Sequence, residues 1–136
     1  MAWVVDTSVV LDLIVPGSAW RMASLACLHK HLADGLCVCP VTFVEVGPAF
    51  GGDAQLADAF FQVVPISTSE PWTRADTELA HRFWNDHQLR RRTTHQPRRP
   101  VADILIAAFA SRFQGIITRN AADFRHPGSG LKIVEP

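Results

Sequence analysis

The sequence is poor in cysteine and contains no long hydrophobic run. Its three cysteines are an odd number, and Cys37 and Cys39 stand two residues apart in a strand-like run, where a disulfide is geometrically difficult. We therefore expect free thiols and a cytoplasmic location. No segment approaches the ~20 apolar residues of a membrane span, and no signal-peptide pattern is seen, so we expect no membrane partner.

An excess of positive charge is also absent. Lys and Arg together number 13, and so do Asp and Glu, so that any nucleic-acid contact must come from local clustering. The one strongly basic segment, 89–100, leads directly into the segment that carries Asp103. It is either a solvated loop or a rim that contacts phosphates, and both interpretations stay open. The candidate RNA-binding residues are Arg90, Arg91, Arg92, Arg98, Arg99 and, beside Asp123, Arg119.

What the chain does have is an alternation of strand-like and helical segments. Its 136 residues, 48% of them hydrophobic, suit one domain covering 1–136. The alternation predicts an α/β fold, a three-layer α/β/α sandwich whose central, mostly parallel sheet has about five strands. Strands are predicted at 2–6, 36–39, 63–66, 116–118 and 131–134. Helices are predicted at 7–13, 18–34, around Glu45 with a break near Gly47-Pro48, and at 53–61, 69–87 and 101–114.

Four acidic residues, Asp6, Glu45, Asp103 and Asp123, fall at transitions between these segments. Because such transitions converge on one crevice in an open parallel sheet, we expect the four carboxylates to lie close together. Acids in one place repel one another unless cations intervene, and carboxylate oxygens are ligands that Mg²⁺ and Mn²⁺ prefer. The pattern therefore predicts a divalent-metal site and phosphate chemistry, in which metal ions activate water and neutralise charge on the phosphate.

Each acid also has a structural explanation when it is considered alone. Asp6 is suited to cap the helix that follows, although the two hydroxyl residues after it can do so as well. Asp103 suits the dipole of a helix start, and Asp123 suits a turn. Glu45 has no Lys or Arg within a helical turn, which favours a metal over an ion pair. The six histidines lack zinc-ligand spacing.

The acids stand in four motifs that occur in order along the whole chain. They are Val4-Val5-Asp6-Thr7-Ser8, Val44-Glu45-Val46, Asp103-Ile104-Leu105-Ile106-Ala107-Ala108 and Ile117-Thr118-Arg119-Asn120-Ala121-Ala122-Asp123-Phe124. These motifs resemble those of PIN-domain ribonucleases, and most closely the VapC-type toxins of bacterial toxin–antitoxin pairs. The resemblance implies that the four acids are catalytic, that Asp6, Asp103 and Asp123 bind Mg²⁺ or Mn²⁺, and that Thr7, Thr118 and Asn120 support the site.

The resemblance also implies an endoribonuclease with an RNA substrate, a homodimer, and inhibition by a cognate antitoxin whose C-terminal segment covers the site. Two alternatives stay open: a housekeeping PIN nuclease that processes RNA without an antitoxin, and a PIN-like binding module without catalysis. A phospho-receiver would need paired acids after the first strand and a lysine at a later strand end, whereas Asp6 is followed by Thr7-Ser8 and the only lysines are Lys30 and Lys132. A haloacid-dehalogenase-like phosphatase would need an Asp where Ser8 stands.

Overall fold

The computed structural model describes residues 1–94, 101–125 and 130–136. The strands are β1 (Trp3–Val5), β2 (Leu36–Cys37), β3 (Gly115–Ile117) and β4 (Ile133–Val134). They form one sheet in the order β2-β1-β3-β4 with every neighbouring pair parallel, so the predicted α/β class is confirmed. The helices are α1 (Thr7–Ile14), α2 (Arg21–His31), α3 (Pro40–Glu45), α4 (Ala54–Val63), α5 (Arg74–Thr94) and α6 (Val101–Ala110), with short 3-10 helices at Leu32–Asp34, Gly47–Phe50 and Ala121–Asp123.

Two hydrophobic clusters lie on opposite faces of the sheet. Successive strand residues point to opposite faces, so each inner strand contributes side chains to both clusters. Burial on both faces explains why these strands are uninterrupted apolar runs in the sequence. One face packs against α5 and α6, and the other against α1, α2 and α4, which makes three layers. The first cluster includes Val4, Cys37, Ile116, Phe83 and Phe109, and the second includes Trp3, Val5, Ile117, Leu28 and Phe61.

The strand predicted at 63–66 is wrong. Val63 is the last residue of α4, and this part of the chain joins the sheet only through an isolated parallel bridge between Cys37 and Ser67. Pro65 has no N–H to donate to a ladder, which limits pairing at this edge. The described ranges therefore contain four strands, and the thiols of all three cysteines are free.

Helix α5 is longer than the sequence predicted. It was expected to end near His87, with a basic loop from Leu89, but it continues to Thr94 and places Arg90, Arg91 and Arg92 in its last turns. Arginine is a good helix former and is favoured at a helix C-terminus by the helix dipole. Arg98 and Arg99 lie outside the described residues.

Among the described helices, none combines the length and hydrophobicity required to cross a bilayer.

The connectivity creates a switch point between β1 and β3. From β1 the chain crosses to β2 on one side, and it later returns to β3 on the other side. Val5 pairs with Ile117, so the next residues, Asp6 and Thr118, emerge side by side at the carboxyl edge of the sheet. The Asp6 N–H donates to the Ile117 carbonyl at 2.9 Å. In open α/β sheets this is the place where ligands bind.

Candidate active site

Asp6 is held by two hydroxyl groups at this switch point. It occupies the N-cap position of α1, but its side chain makes no capping hydrogen bond, so the capping explanation that the sequence left open is wrong. Instead, its Oδ2 accepts hydrogen bonds from the hydroxyls of Ser8 and Thr118, both at 2.7 Å. Thr118 is fully buried. One carboxylate oxygen of Asp6 is thereby fixed, in part by Thr118, which lies 112 residues further along the chain.

The backbone after β3 orients both hydroxyls. The Arg119 N–H donates to Ser8 Oγ at 3.4 Å, and the Asn120 N–H donates to Thr118 Oγ1 at 3.0 Å. Because a hydroxyl has one proton, an oxygen that accepts from the backbone directs that proton toward its other partner, here Asp6. The position of the 118–120 loop therefore decides how Asp6 is held.

The second oxygen of Asp6 has no hydrogen-bond donor among the described residues. Asp6 is only 4% exposed, and none of the described residues donates a hydrogen bond to its Oδ1. Every fully enclosed side-chain nitrogen or oxygen in these ranges has a hydrogen-bond partner, so Oδ1 must reach the surface. A nearly buried carboxylate thus presents one oxygen with free lone pairs at the switch point.

Glu45 joins this network through Thr7. The Thr7 hydroxyl lies 2.7 Å from Glu45 Oε1 and 3.0 Å from the hydroxyl of the buried Thr42. Because Thr7 directly follows Asp6, one residue links the two acids. From the sequence, the apolar neighbours of Glu45 were expected to leave its carboxylate in need of a partner. In the structure the Glu45 side chain is exposed at the end of α3, and Thr7 is its partner.

Asp103 is brought to the same edge by the direction of α6. This helix precedes β3 and packs on its face, so it runs against the strands and its first turn, with Asp103, lies toward their carboxyl ends. The packing agrees, because Val101 and Ile104 line one groove together with Val41 and Val44 of α3. Asp103 is half-buried there.

Asp123 ends the 3-10 helix that follows β3. Its neighbours Ala121 and Phe124 are buried and hold the turn against the core, while Asp123 itself is half-buried. No described residue donates a hydrogen bond to its carboxylate. Asn120, one of the predicted supporting residues, is exposed and contributes through its backbone N–H, which donates to Thr118 Oγ1.

The carboxylate oxygens of these acids suit a hard cation, although the side chains do not surround a single point. Among the described residues, no three His, Cys, Asp or Glu side chains form a compact metal-binding group. The donors are carboxylate oxygens, which match Mg²⁺ and Mn²⁺, and Mg²⁺ retains several waters and needs only one or two protein carboxylates. An open site beginning at Asp6 Oδ1 is therefore compatible with such an ion.

A second buried carboxylate, Asp12, lies behind the site and was missed in the sequence. Asp12 is 3% exposed and accepts hydrogen bonds from Arg119 Nε at 2.6 Å, Ser24 Oγ at 2.9 Å and Ser18 Oγ at 3.3 Å. The Arg119 guanidinium carbon lies 5.3 Å from the centre of the Trp20 ring. The sequence did contain a signal for Asp12, because an acid in the otherwise apolar segment of α1 is buried and a buried charge needs a partner.

The remaining candidate arginines lie at the end of α5. Arg92 is exposed, Arg90 is half-buried, and Arg91 Nη1 is 3.5 Å from Gln88 Oε1. The chain needs only residues 95–100 to reach α6, so the end of α5 lies within about 25 Å of the first turn that carries Asp103.

No protein-family model matches this chain, and no curated protein matches it significantly in sequence.

Proposed function

We propose that this chain is a Mg²⁺- or Mn²⁺-dependent endoribonuclease of the PIN type, which acts as the toxin of a toxin–antitoxin pair. The observation that carries the proposal is the state of Asp6. Its Oδ2 is fixed by two hydroxyls at 2.7 Å, and its Oδ1 reaches the surface without a hydrogen bond from the described residues. A nearly buried carboxylate that is fixed through one oxygen, without capping the helix that follows it, is suited to bind a cation through the other.

The acids have distinct roles in this proposal. Asp6, Asp103 and Asp123 are assigned to the metal, directly or through the waters that Mg²⁺ retains, and Ser8 and Thr118 keep the Asp6 carboxylate in one orientation. Glu45 is exposed, and with Oε1 held by Thr7 its other oxygen accepts a proton from water or binds a second ion. When bound, a divalent cation would lower the pKa of a water molecule and offset negative charge on the phosphate.

Arginines at the end of α5 are proposed to contact the RNA backbone. Arg90, Arg91 and Arg92 lie in the last turns of the helix, and Arg98 and Arg99 continue the basic run toward the Asp103 helix. Guanidinium groups bind phosphate oxygens in pairs, and this binding weakens as salt rises. Replacing Arg90, Arg91 and Arg92 with Ser should lower RNA affinity and make it less sensitive to salt.

An apolar groove beside the acids supports inhibition by a partner protein. The groove between α3, α5 and α6 encloses about 550 Å³ and is lined by Val44, Trp84, Val101 and Ile104 among others. Val44 is 74% exposed and directly precedes Glu45, and Val101 stands two residues before Asp103. We propose that a segment of the cognate antitoxin occupies it and so covers the site. Homodimerisation is part of the same proposal and is measured by sedimentation.

The decisive test is RNA cleavage by the purified chain. A pool of structured RNAs is incubated with Mg²⁺, Mn²⁺ or EDTA, and the wild type is compared with Asp6→Asn and Asp103→Asn. We expect cleavage that requires metal and is lost in both variants although circular dichroism shows them folded. Asp53→Asn, which changes an exposed cap on α4, is the matched control and should cut normally.

A result in which neither metal nor RNA binds, after any copurified partner is removed, would overturn the nuclease proposal. Cleavage that persists in EDTA or in Asp6→Asn would do the same. Expression without toxicity, together with normal cleavage, would instead point to an RNA-processing nuclease that has no antitoxin.

A further inference from the structure

The buried Asp12 carboxylate is held by Arg119 and by two serines. Three donors from three different parts of the chain converge on the Asp12 carboxylate, and the Arg119 Nε bond is the shortest of them at 2.6 Å. Ser24, which is fully buried in α2, and Arg119 both donate to Oδ2, and Ser18 donates to Oδ1, so both oxygens are held. None of these groups belongs to the acids proposed to bind metal.

Arg119 stands at the centre of the loop that holds Asp6. The residue before it, Thr118, donates to Asp6 Oδ2, and the residue after it provides the N–H that orients Thr118. Its own N–H donates to Ser8 Oγ, and Ser8 is the second donor to Asp6. A displacement of the Arg119 backbone would therefore disturb both hydroxyls around Asp6 together.

The side chain of Arg119 is poorly placed to contact RNA. It is 28% exposed, its Nε is committed to Asp12, and its guanidinium lies against Trp20. Arginines often bind phosphate through two parallel N–H groups, and the Nε–H of Arg119 is already engaged by Asp12. The expectation that Arg119 binds RNA is therefore less well supported than a role inside the protein.

We propose that Asp12 and Arg119 are positioning residues: their ion pair holds the 118–120 loop so that Ser8 and Thr118 keep Asp6 Oδ1 directed at the metal. The inference rests on the proposed function, since it assigns the pair a role in metal binding. Hydrogen-bond partners of metal ligands commonly change metal affinity 10- to 100-fold when they are removed. The pair acts one step further from the metal, so we expect a loss of about fivefold to tenfold.

The chain contains a matched control in the pair of Asp76 and Arg112. The side chains of Asp76 and Arg112 are 3% and 32% exposed, compared with 4% and 28% for Asp12 and Arg119, and the N···O distance is 3.1 Å. Asp76 also accepts from the Thr73 N–H, and neither Thr73 nor Arg112 takes part in the hydrogen bonds around Asp6. Loss of this pair should lower stability similarly without changing the metal site.

The experiment measures Mn²⁺ binding by electron paramagnetic resonance, at a temperature where every variant is fully folded. Asp12→Asn, Arg119→Met and the double variant should each bind Mn²⁺ about fivefold to tenfold more weakly, with no additional loss in the double variant. Arg119→Lys, which keeps the positive charge, should recover part of the affinity. Asp76→Asn should bind like the wild type.

Wild-type affinity in Asp12→Asn would overturn the inference, and so would an equal loss in Asp76→Asn, because the effect would then reflect general destabilisation. If Arg119→Met binds Mn²⁺ normally but loses RNA affinity and about one unit of salt slope, Arg119 is a phosphate contact and the inference fails. If the wild type itself binds no Mn²⁺ and cuts no RNA, the proposed function fails and this inference fails with it. When the wild type binds Mn²⁺, only the positioning role is at stake.

Discussion

Replacing Thr118 with Val should destabilise the protein because it removes two hydrogen bonds at a fully buried position. The Thr118 hydroxyl donates to Asp6 Oδ2 at 2.7 Å and accepts from the Asn120 N–H at 3.0 Å. A hydrogen bond to a charged group contributes about 1.5–3 kcal/mol, and a neutral one about 0.5–1.5 kcal/mol. The added methyl group offsets part of this through apolar burial, about 1 kcal/mol. We therefore expect a net loss of about 2–3 kcal/mol.

Urea unfolding in EDTA at pH 7 measures this loss without any bound metal. Thr118→Ser is the matched control: it keeps the hydroxyl and loses only a buried methyl, which should cost about 0.5–1.5 kcal/mol. A Thr118→Val protein that is as stable as Thr118→Ser would refute the reasoning. Coupling provides a second check, because Asp6→Ala removes the acceptor and should reduce the effect of Thr118→Val by about 1 kcal/mol or more. Strict additivity of the two changes would also contradict it.

Three further predictions concern the scaffold. A Cβ at Gly115 would lie 2.5 Å from the carbonyl oxygen just before β4, so Gly115→Ala should lower the free energy of unfolding by about 1–3 kcal/mol, whereas Gly47→Ala, where nothing lies within 4 Å, should be much milder. Burial raises the pKa of Cys37 to about 12 and that of Cys39 to about 11. Unfolded thiols ionise near pH 9, so stability should fall as pH rises above that value, by about 1.4 kcal/mol per pH unit for each thiol, and a Cys37→Ala protein with an unchanged slope would contradict this. Asp53 accepts two backbone N–H groups at the start of α4, so Asp53→Ala should lower thermal stability by about 1 kcal/mol, and an unshifted melting curve would argue against the cap.

Local pattern predicted much of the scaffold. The apolar runs at β1, β3 and β4 were found because both faces of these strands are buried. The N-cap at Asp53 and the break near Gly47 follow from side-chain and backbone chemistry that acts over a few residues. The run at 63–66 was misassigned because a short apolar segment can extend a helix or form a strand, and only the neighbouring elements decide which.

For the candidate site, too, local pattern predicted one part and only the tertiary structure decided the other. By itself, the sequence predicted that Asp6 and Thr118 would lie at the ends of strands, because strand ends are marked by hydrophobic pattern and parallel strands share one edge. Only the tertiary structure decided that Ser8 holds Asp6 instead of capping α1, that Thr7 holds Glu45, and that Arg119 pairs with Asp12. Asp12 and Arg119 are 107 residues apart, and no local pattern encodes such a pair. Their contact exists because the return of the chain from β2 to β3 places the 118–120 loop beside α1. There Arg119 is close enough to pair with the buried charge of Asp12, which needs a partner.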